Sequence, residues 1–155
     1  MSEQLTQRAA RFVSVLPHCR LLKMSVEYAD GEKVILKLPY SEQIIGNPEN
    51  GVVAGGSLIT LMDTACGTAA FNCFEDGEVC PTLDLRMDYH RAASPGENLI
   101  GEAKIVRKAT SLVFTQGEVR QESDNKVIAT CTANFMRIGL KLGGTAQSSN
   151  GGKSA

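Results

Sequence analysis

The chain has 155 residues, enough for about one domain. Its 16 Lys and Arg nearly balance 17 Asp and Glu, and the net charge of −1 excludes the strongly basic surface of a general nucleic-acid binder. Hydrophobic residues make up 43% of the chain, yet no apolar run approaches the roughly 18 residues of a transmembrane helix. We therefore expect neither nucleic acid nor a membrane as a partner.

The N-terminal third predicts a helix, a hairpin and a long loop. Apolar residues recur at steps of three and four over residues 5–16, which is one face of a helix that Ser2 caps and Pro17 ends. Alternating apolar and polar residues then predict two strands and their turn: residues 22–28, Asp30-Gly31 and residues 34–38. Residues 39–53, rich in Asn, Gly and Pro, predict a loop.

The segment from Ser57 to Cys73 predicts a buried helix, because it lacks Lys, Arg and Glu and is apolar or weakly polar on every face. At 1.5 Å per residue it spans about 26 Å. Its single charge is Asp63. An isolated buried carboxylate costs several kcal/mol unless it is paired or used, so Asp63 either bonds a backbone group or Arg86, or takes part in catalysis.

Four more strands are predicted after this helix: residues 83–89, with one face exposed, and residues 99–107, 112–122 and 127–137. Because no βαβ alternation occurs, the sheet should be mostly antiparallel. The expected fold is α+β, with an antiparallel six-stranded sheet wrapped around one long central helix, in a domain of residues 1–138. Residues 139–155, rich in Gly, Ser and Thr, predict a disordered tail.

The cysteines indicate a reducing compartment. The chain has five of them, an odd number without regular spacing or a CxxC pair, which fits no disulfide framework. The first residues lack the apolar core of a signal peptide, so the expected location is the cytoplasm. His18 and His90 are far apart in the sequence and neither belongs to a ligand-spaced cluster, so no metal site is expected.

Residues 47–63, NPENGVVAGGSLITLMD, carry a pattern of loop Asn, paired glycines and a helical Asp eight positions after the first glycine. With residues 81–89 and 108–114, this pattern resembles the hotdog-fold acyl-CoA thioesterases of the phenylacetate-pathway and THEM2-like type. The resemblance covers about residues 15–138. It implies the hotdog fold and hydrolysis of an acyl-CoA to a free acid and CoA. Two features depart from the family pattern: Ala54 stands where most members have His, and the loop has one extra residue before Gly51.

Thioester hydrolysis needs a base or nucleophile and a donor for the developing oxyanion. Asp63 is the candidate for the first role, either as general base to water or as direct nucleophile. A helix N-terminus supplies free amides and a partial positive charge, so the Gly55 amide is the candidate donor. The resemblance further implies that Thr82 helps to hold the water and that Asn47 or Asn50 donates a second hydrogen bond to the thioester oxygen.

The resemblance also implies that coenzyme A enters as part of the substrate, with no separate cofactor. Gly56 lacks a side chain and lets the substrate approach the backbone closely. Arg91, Arg107 and Lys108, near predicted strand ends, are candidates for contacts to the CoA phosphates. Two other functions remain open. One is a non-catalytic acyl-CoA-binding or sensor protein, which Ala54 keeps possible. The other is a hotdog hydratase or dehydratase, which the absence of His and Glu from the central helix argues against.

The spacing of the two main candidates predicts an oligomer. Gly55 and Asp63 lie eight residues apart, or about 12 Å along a helix axis. One thioester cannot touch both groups of the same chain, so both act only if they come from two chains. We therefore expect a homodimer with two composite sites, related by a two-fold axis, and further assembly into a homotetramer as a dimer of dimers.

Overall fold

The computed structural model describes residues 1–142 of the chain. Its helices are α1 (Ser2–Ser14), α2 (Pro17–Leu21) and α3 (Gly55–Asn72). Its strands are β1 (Ser25–Ala29), β2 (Lys33–Leu38), β3 (Ile45–Asn47), β4 (Val52–Val53), β5 (Thr82–Tyr89), β6 (Leu99–Lys108), β7 (Leu112–Gln121) and β8 (Val127–Met136). A 3-10 turn at Glu42–Ile44 precedes β3.

Six strands form one sheet in the order β1-β2-β6-β7-β8-β5, and every neighbouring pair is antiparallel. The short strands β3 and β4 form a separate hairpin immediately before α3. Helix α3 packs against the inner face of the large sheet, where alternate residues of β2, β7 and β8 are buried. The predicted architecture, a six-stranded antiparallel sheet with one long helix packed against it, is confirmed.

Two glycines allow α3 to lie close to the middle of the sheet. A Cβ atom on Gly101 would lie 2.9 Å from Leu61 Cγ, and one on Gly117 would overlap the Met62 methyl group and a backbone carbonyl. Met62 and Leu61 are fully buried in the space that these glycines leave. This packing fixes the position of α3 and therefore the direction of its outer face.

Helix α1 closes the other side of the core and holds the C-terminal end of α3. The Arg8 guanidinium donates to the Asn72 side-chain oxygen at 2.8 Å and to the carbonyls of Asn72, Phe74 and Glu75. These carbonyls belong to the last turn and exit of α3, where no intrahelical donor exists. The ring of Phe12 stacks on Phe71 at 4.3 Å.

The predicted N-terminal helix is confirmed as α1, but the sequence did not predict the second helix, α2. Helix α1 ends at Ser14, and Pro17 begins α2 because a first helical position leaves its N–H unused and so tolerates proline. The expected cap was wrong. Met1 occupies the capping position of α1 without a side-chain hydrogen bond, and Ser2 lies within the helix.

Boundaries further along the chain also shift. The first strand starts at Ser25, three residues later than predicted, because Lys23 adopts a positive φ of 55° after α2. The predicted loop over residues 39–53 contains the β3–β4 hairpin. Helix α3 begins at Gly55, two residues before the predicted start at Ser57, so both paired glycines belong to its first turn.

Strand β5 forms an edge of the sheet, and Leu85 and Met87 are half-buried against the core while Asp84, Arg86 and Asp88 are exposed, as predicted. Leu83 and Tyr89 are 51% and 49% exposed. Of the predicted tail, residues 139–142 are described, and the Val79 N–H donates to the Leu140 carbonyl at 2.7 Å in an isolated bridge. The rest of the predicted tail lies outside the described residues. No helix within residues 1–142 is both long and apolar enough to cross a bilayer.

Candidate active site

Asp63 lies on the outer face of α3, at the wall of a cleft of about 380 Å³ between α2 and α3. Residues 16–19 form one wall, four residues of α3 form the other, and Leu85 of β5 closes one side. The carboxylate is half-buried, so the expectation of a buried one was wrong. Arg86, the alternative structural partner, instead pairs with Asp88 at 3.1 Å. Asp63 is therefore accessible to a ligand in the cleft.

Thr82 is the hydrogen-bond partner of Asp63, and its hydroxyl donates to Asp63 Oδ1 at 2.8 Å. A β-bulge makes this contact possible. Thr82 pairs with Phe135 and Asp84 pairs with Asn134, so Leu83 is an extra residue in β5. Strict alternation would place Thr82 on the outer face, but the bulge turns it toward α3. Within residues 1–142 the second carboxylate oxygen of Asp63 accepts no hydrogen bond, so a water or a substrate can bind to it.

The paired glycines form the exposed start of α3. The N–H groups of Gly55 and Gly56 lie in the first turn of the helix, where no helical carbonyl is in position to accept from them. Within residues 1–142 neither N–H donates to any other acceptor. A Cβ atom on Gly56 would meet only open space, so the approach to this helix end is clear. The Tyr89 hydroxyl donates to the Gly55 carbonyl at 2.7 Å and attaches the end of β5 to this turn. Ala54 caps the helix with its backbone alone.

Both candidate loop asparagines form turns in the β3–β4 hairpin that leads into α3. Asn47 Oδ1 accepts from the Glu49 amide at 3.0 Å, and Asn50 Oδ1 accepts from the Val52 amide at 3.0 Å. Both residues are exposed. Each side-chain oxygen therefore accepts a hydrogen bond that stabilises the turn. Because both asparagines have the same local role, the geometry does not distinguish Asn47 from Asn50 as the donor to the thioester oxygen.

The three candidate cations are not brought together within one chain. Arg91 follows β5, whose end contacts Gly55 at the N-terminus of α3. Lys108 ends β6 and donates to the Cys73 carbonyl at 3.1 Å, at the other end of α3, and Arg107 precedes it. The ends of this 18-residue helix are about 27 Å apart.

The wall that α2 contributes to the cleft was not found from the sequence. His18 and Cys19 belong to it, and the Cys19 thiol contacts the Thr64 hydroxyl at 3.8 Å, which joins α2 to α3. Pro17 was the available signal, since proline marks a helix start as readily as an end.

The surroundings of four of the five cysteines raise the pKa of the thiol. Burial raises the pKa of Cys19 and of Cys73, and it raises the pKa of Cys80 to about 11. Cys66 lies 3.9 Å from Cys131, and this contact together with burial raises the pKa of Cys66. A thiolate nucleophile is therefore disfavoured at these four positions. Within residues 1–142, no three His, Cys, Asp or Glu side chains are grouped to hold a metal ion.

Comparison with known proteins places this geometry in a family. The sequence profile of the thioesterase superfamily matches residues 50–128, which include the start of α3, Asp63, Thr82 and most of the sheet. The chain belongs to the thioesterase superfamily. The predicted hotdog fold and the predicted class, a thioester hydrolase, are thereby confirmed.

Relatives of this thioesterase support the assignment. Mouse acyl-coenzyme A thioesterase 13 is 28% identical over 109 residues, which cover 70% of this chain and 76% of the mouse protein. A crystal structure of a Pseudomonas aeruginosa protein shares 47% identity, with a TM-score of 0.78 over 86% of this chain and 98% of that one. The structure of mouse thioesterase superfamily member 2 shares 25% identity, with a TM-score of 0.73 over 85% of this chain and 96% of that one.

Proposed function

We propose that this thioesterase hydrolyses acyl-CoA, with Asp63 acting on the thioester carbonyl. The observation that carries the proposal is the hydrogen-bonded pair of Thr82 and Asp63 at the wall of an open cleft. The family membership and the names of relatives such as mouse acyl-coenzyme A thioesterase 13 support the substrate class.

The pair supports a direct chemical sequence. Thr82 fixes one oxygen of the carboxylate, and the other oxygen takes a proton from water as the water oxygen attacks the carbonyl carbon. The C–S bond then breaks, and the CoA sulfur leaves as a thiolate that takes up a proton. If Asp63 instead attacks directly, an acyl–Asp63 anhydride forms, and water hydrolyses it. When water attacks the Cγ atom of this anhydride, its oxygen stays in Asp63, so ¹⁸O found in Asp63 after turnover in ¹⁸O-water would identify the second route.

The oxyanion donor in this proposal is the Gly55 amide of a second chain. Its own chain places Gly55 two turns of α3 away from Asp63, or about 12 Å along the axis. The outer face of α3 has no charge other than Asp63, and the neighbouring edge strand β5 exposes Leu83 and Tyr89. An antiparallel pair of α3 helices would cover these surfaces and complete two sites.

We extend the proposal to the remaining candidates. The homodimer pairs further into a homotetramer, as a dimer of dimers. Gly56 borders the path of the thioester, and Asn47 or Asn50 donates to its oxygen. Pairing of antiparallel helices places cations from opposite ends of the two chains near one site, so Arg91 of one chain and Arg107 or Lys108 of the other contact the CoA phosphates.

The test is the release of free thiol from a panel of acyl-CoA substrates by the wild type and by Asp63→Asn. We expect kcat to fall by about 10²- to 10⁴-fold in this variant, because it keeps the size of the side chain and loses its basicity. An unchanged melting temperature would show that the fold persists. Binding of acyl-CoA without thiol release by the wild type would identify a sensor, and activity of Asp63→Asn within threefold of wild type would exclude Asp63.

A further inference from the structure

The first turn of α3 has few groups of its own that hold it in place. Gly55 and Gly56 are both exposed, and glycine disfavours a helix because it loses the most conformational freedom on folding. In the part of the chain that the structure describes, no side chain caps this turn, and no acidic residue lies in it to interact with the helix dipole. The direction of the Gly55 N–H therefore depends on contacts from outside the helix.

Tyr89 supplies such a contact from the last position of β5. Its hydroxyl donates to the Gly55 carbonyl at 2.7 Å, and its ring would lie 3.5 Å from a Cβ atom on Gly55. Among residues 1–142 it is the one side chain outside α3 that bonds residues 54–57. The Gly55 carbonyl is exposed and can bond water, so it does not need this hydroxyl as a donor. The effect of the bond is therefore on the position of the turn.

The sheet fixes the backbone from which the Tyr89 side chain extends. Tyr89 pairs with Ala129 of β8, which is fully buried. The next two amides, of His90 and Arg91, both donate to the Ile128 carbonyl, at 2.9 and 3.3 Å. Partial burial also raises the pKa of the Tyr89 phenol, so the hydroxyl keeps the proton that it donates. Tyr89 is thus a fixed donor that joins the sheet to the first turn of α3.

We propose that Tyr89 is a positioning residue, which holds the Gly55 N–H in the direction of the thioester oxygen. The inference rests on the proposed function, in which this N–H is the oxyanion donor. An oxyanion donor must lie in place before the charge develops, so mobility of the first turn would reduce its effect. Strand β5 then supports the reaction from both ends, since Thr82 at its start bonds Asp63 and Tyr89 at its end bonds Gly55. In the proposed dimer these two bonds serve different active sites.

Tyr89→Phe tests the assignment, because it keeps the ring and removes only the hydroxyl. Loss of this hydrogen bond should lower kcat by about fivefold to tenfold for any acyl-CoA that the wild type hydrolyses, with KM unchanged within about twofold. The matched control is Tyr28→Phe, which removes a hydroxyl that donates to Asp30 at 2.8 Å. Tyr28 lies on β1, at the opposite edge of the sheet, so kcat of this control should stay within about twofold of wild type.

A double variant shows whether Tyr89 acts through Gly55. In a Gly55→Pro chain the N–H is absent, so the addition of Tyr89→Phe should change kcat by less than about twofold. A further fall as large as that of the single variant would mean that Tyr89 acts independently of this amide. A rise of KM at unchanged kcat in Tyr89→Phe would mean that the hydroxyl binds the substrate itself. Either result would overturn the positioning role.

An NMR measurement separates failure of this inference from failure of the proposed reaction, because it needs no substrate. Relaxation of ¹⁵N should show a lower order parameter for the Gly55 amide in Tyr89→Phe than in wild type or Tyr28→Phe. If no acyl-CoA is hydrolysed but this amide becomes more mobile, the positioning role stands and the proposed reaction is wrong. If the amide is equally ordered in all three proteins, or if kcat is the same in Tyr89→Phe and Tyr28→Phe, Tyr89 does not position Gly55.

Discussion

Replacing Gly55 with proline should remove the proposed oxyanion donor while leaving the helix intact. Gly55 is the first residue of α3, the position at which proline is best tolerated. Ala54 before it has φ −63° and ψ 133°, the extended conformation that a residue preceding proline requires. A Cβ atom on Gly55 would lie 3.4 Å from the Tyr89 hydroxyl oxygen, an ordinary contact. The main effect of Gly55→Pro is therefore the loss of one backbone N–H group.

Loss of one oxyanion donor costs about 2.7–4 kcal/mol of transition-state stabilisation, so kcat of Gly55→Pro should fall by about 10²- to 10³-fold. The control is Gly55→Ala, which adds the same Cβ atom and keeps the N–H, and its kcat should stay within about threefold of wild type. Thiol release under saturating acyl-CoA measures kcat, and thermal melting confirms folding. Equal activity of folded Gly55→Pro and Gly55→Ala would mean that this amide does not stabilise the oxyanion.

Three other outcomes follow from the site and its supports. Mixing Asp63→Ala chains with Gly55→Pro chains should restore about a quarter of the wild-type number of active sites if the chains pair at random. Mass spectrometry verifies that mixed dimers form. If these mixed dimers are inactive, the whole site lies in one chain. Thr82→Val should lower kcat by about tenfold, because it removes the charge-assisted hydrogen bond to Asp63, whereas Thr82→Ser keeps the hydroxyl and should keep kcat. An equal fall of kcat in both variants would mean that Thr82 acts through packing. Arg8→Ala should lower the free energy of unfolding by about 3 kcal/mol, read from denaturant titration, and no change would show that the end of α3 needs no donor.

The sequence is informative where one physical pattern dominates. The absence of Lys, Arg and Glu over residues 57–73 predicts a helix that must be buried, and it makes Asp63 conspicuous as the single charge. The absence of βαβ alternation likewise predicts antiparallel pairing, because parallel neighbours need a crossover, which is usually a helix. These two signals are sufficient to predict the layers of the fold and the position of the candidate carboxylate, Asp63.

Other features depend on contacts that no local pattern records. A β-bulge changes the face of a residue without changing composition, so alternation alone assigns Thr82 to the wrong side of β5. Pro17 fits either end of a helix, and only packing of Cys19 against Thr64 shows that α2 lines the cleft. The half-exposed state of Asp63 follows from the direction of α3, which Met62 and the sheet glycines determine together.

The division of the cleft between two parts of the chain has a consequence for how its shape can change. The superfamily profile begins at residue 50, so the carboxylate, its threonine partner and the helix N-terminus all lie inside the shared region. Helices α1 and α2 lie before it, and they reach α3 through separate contacts at Arg8 and Cys19. Exchange of the first 22 residues between homologues would therefore replace one wall of the cleft beside Asp63 and leave the hydrogen-bonded pair of Asp63 and Thr82 in place. Recombination of the N-terminal segment can therefore change the shape of this cleft while the carboxylate and its threonine partner stay the same.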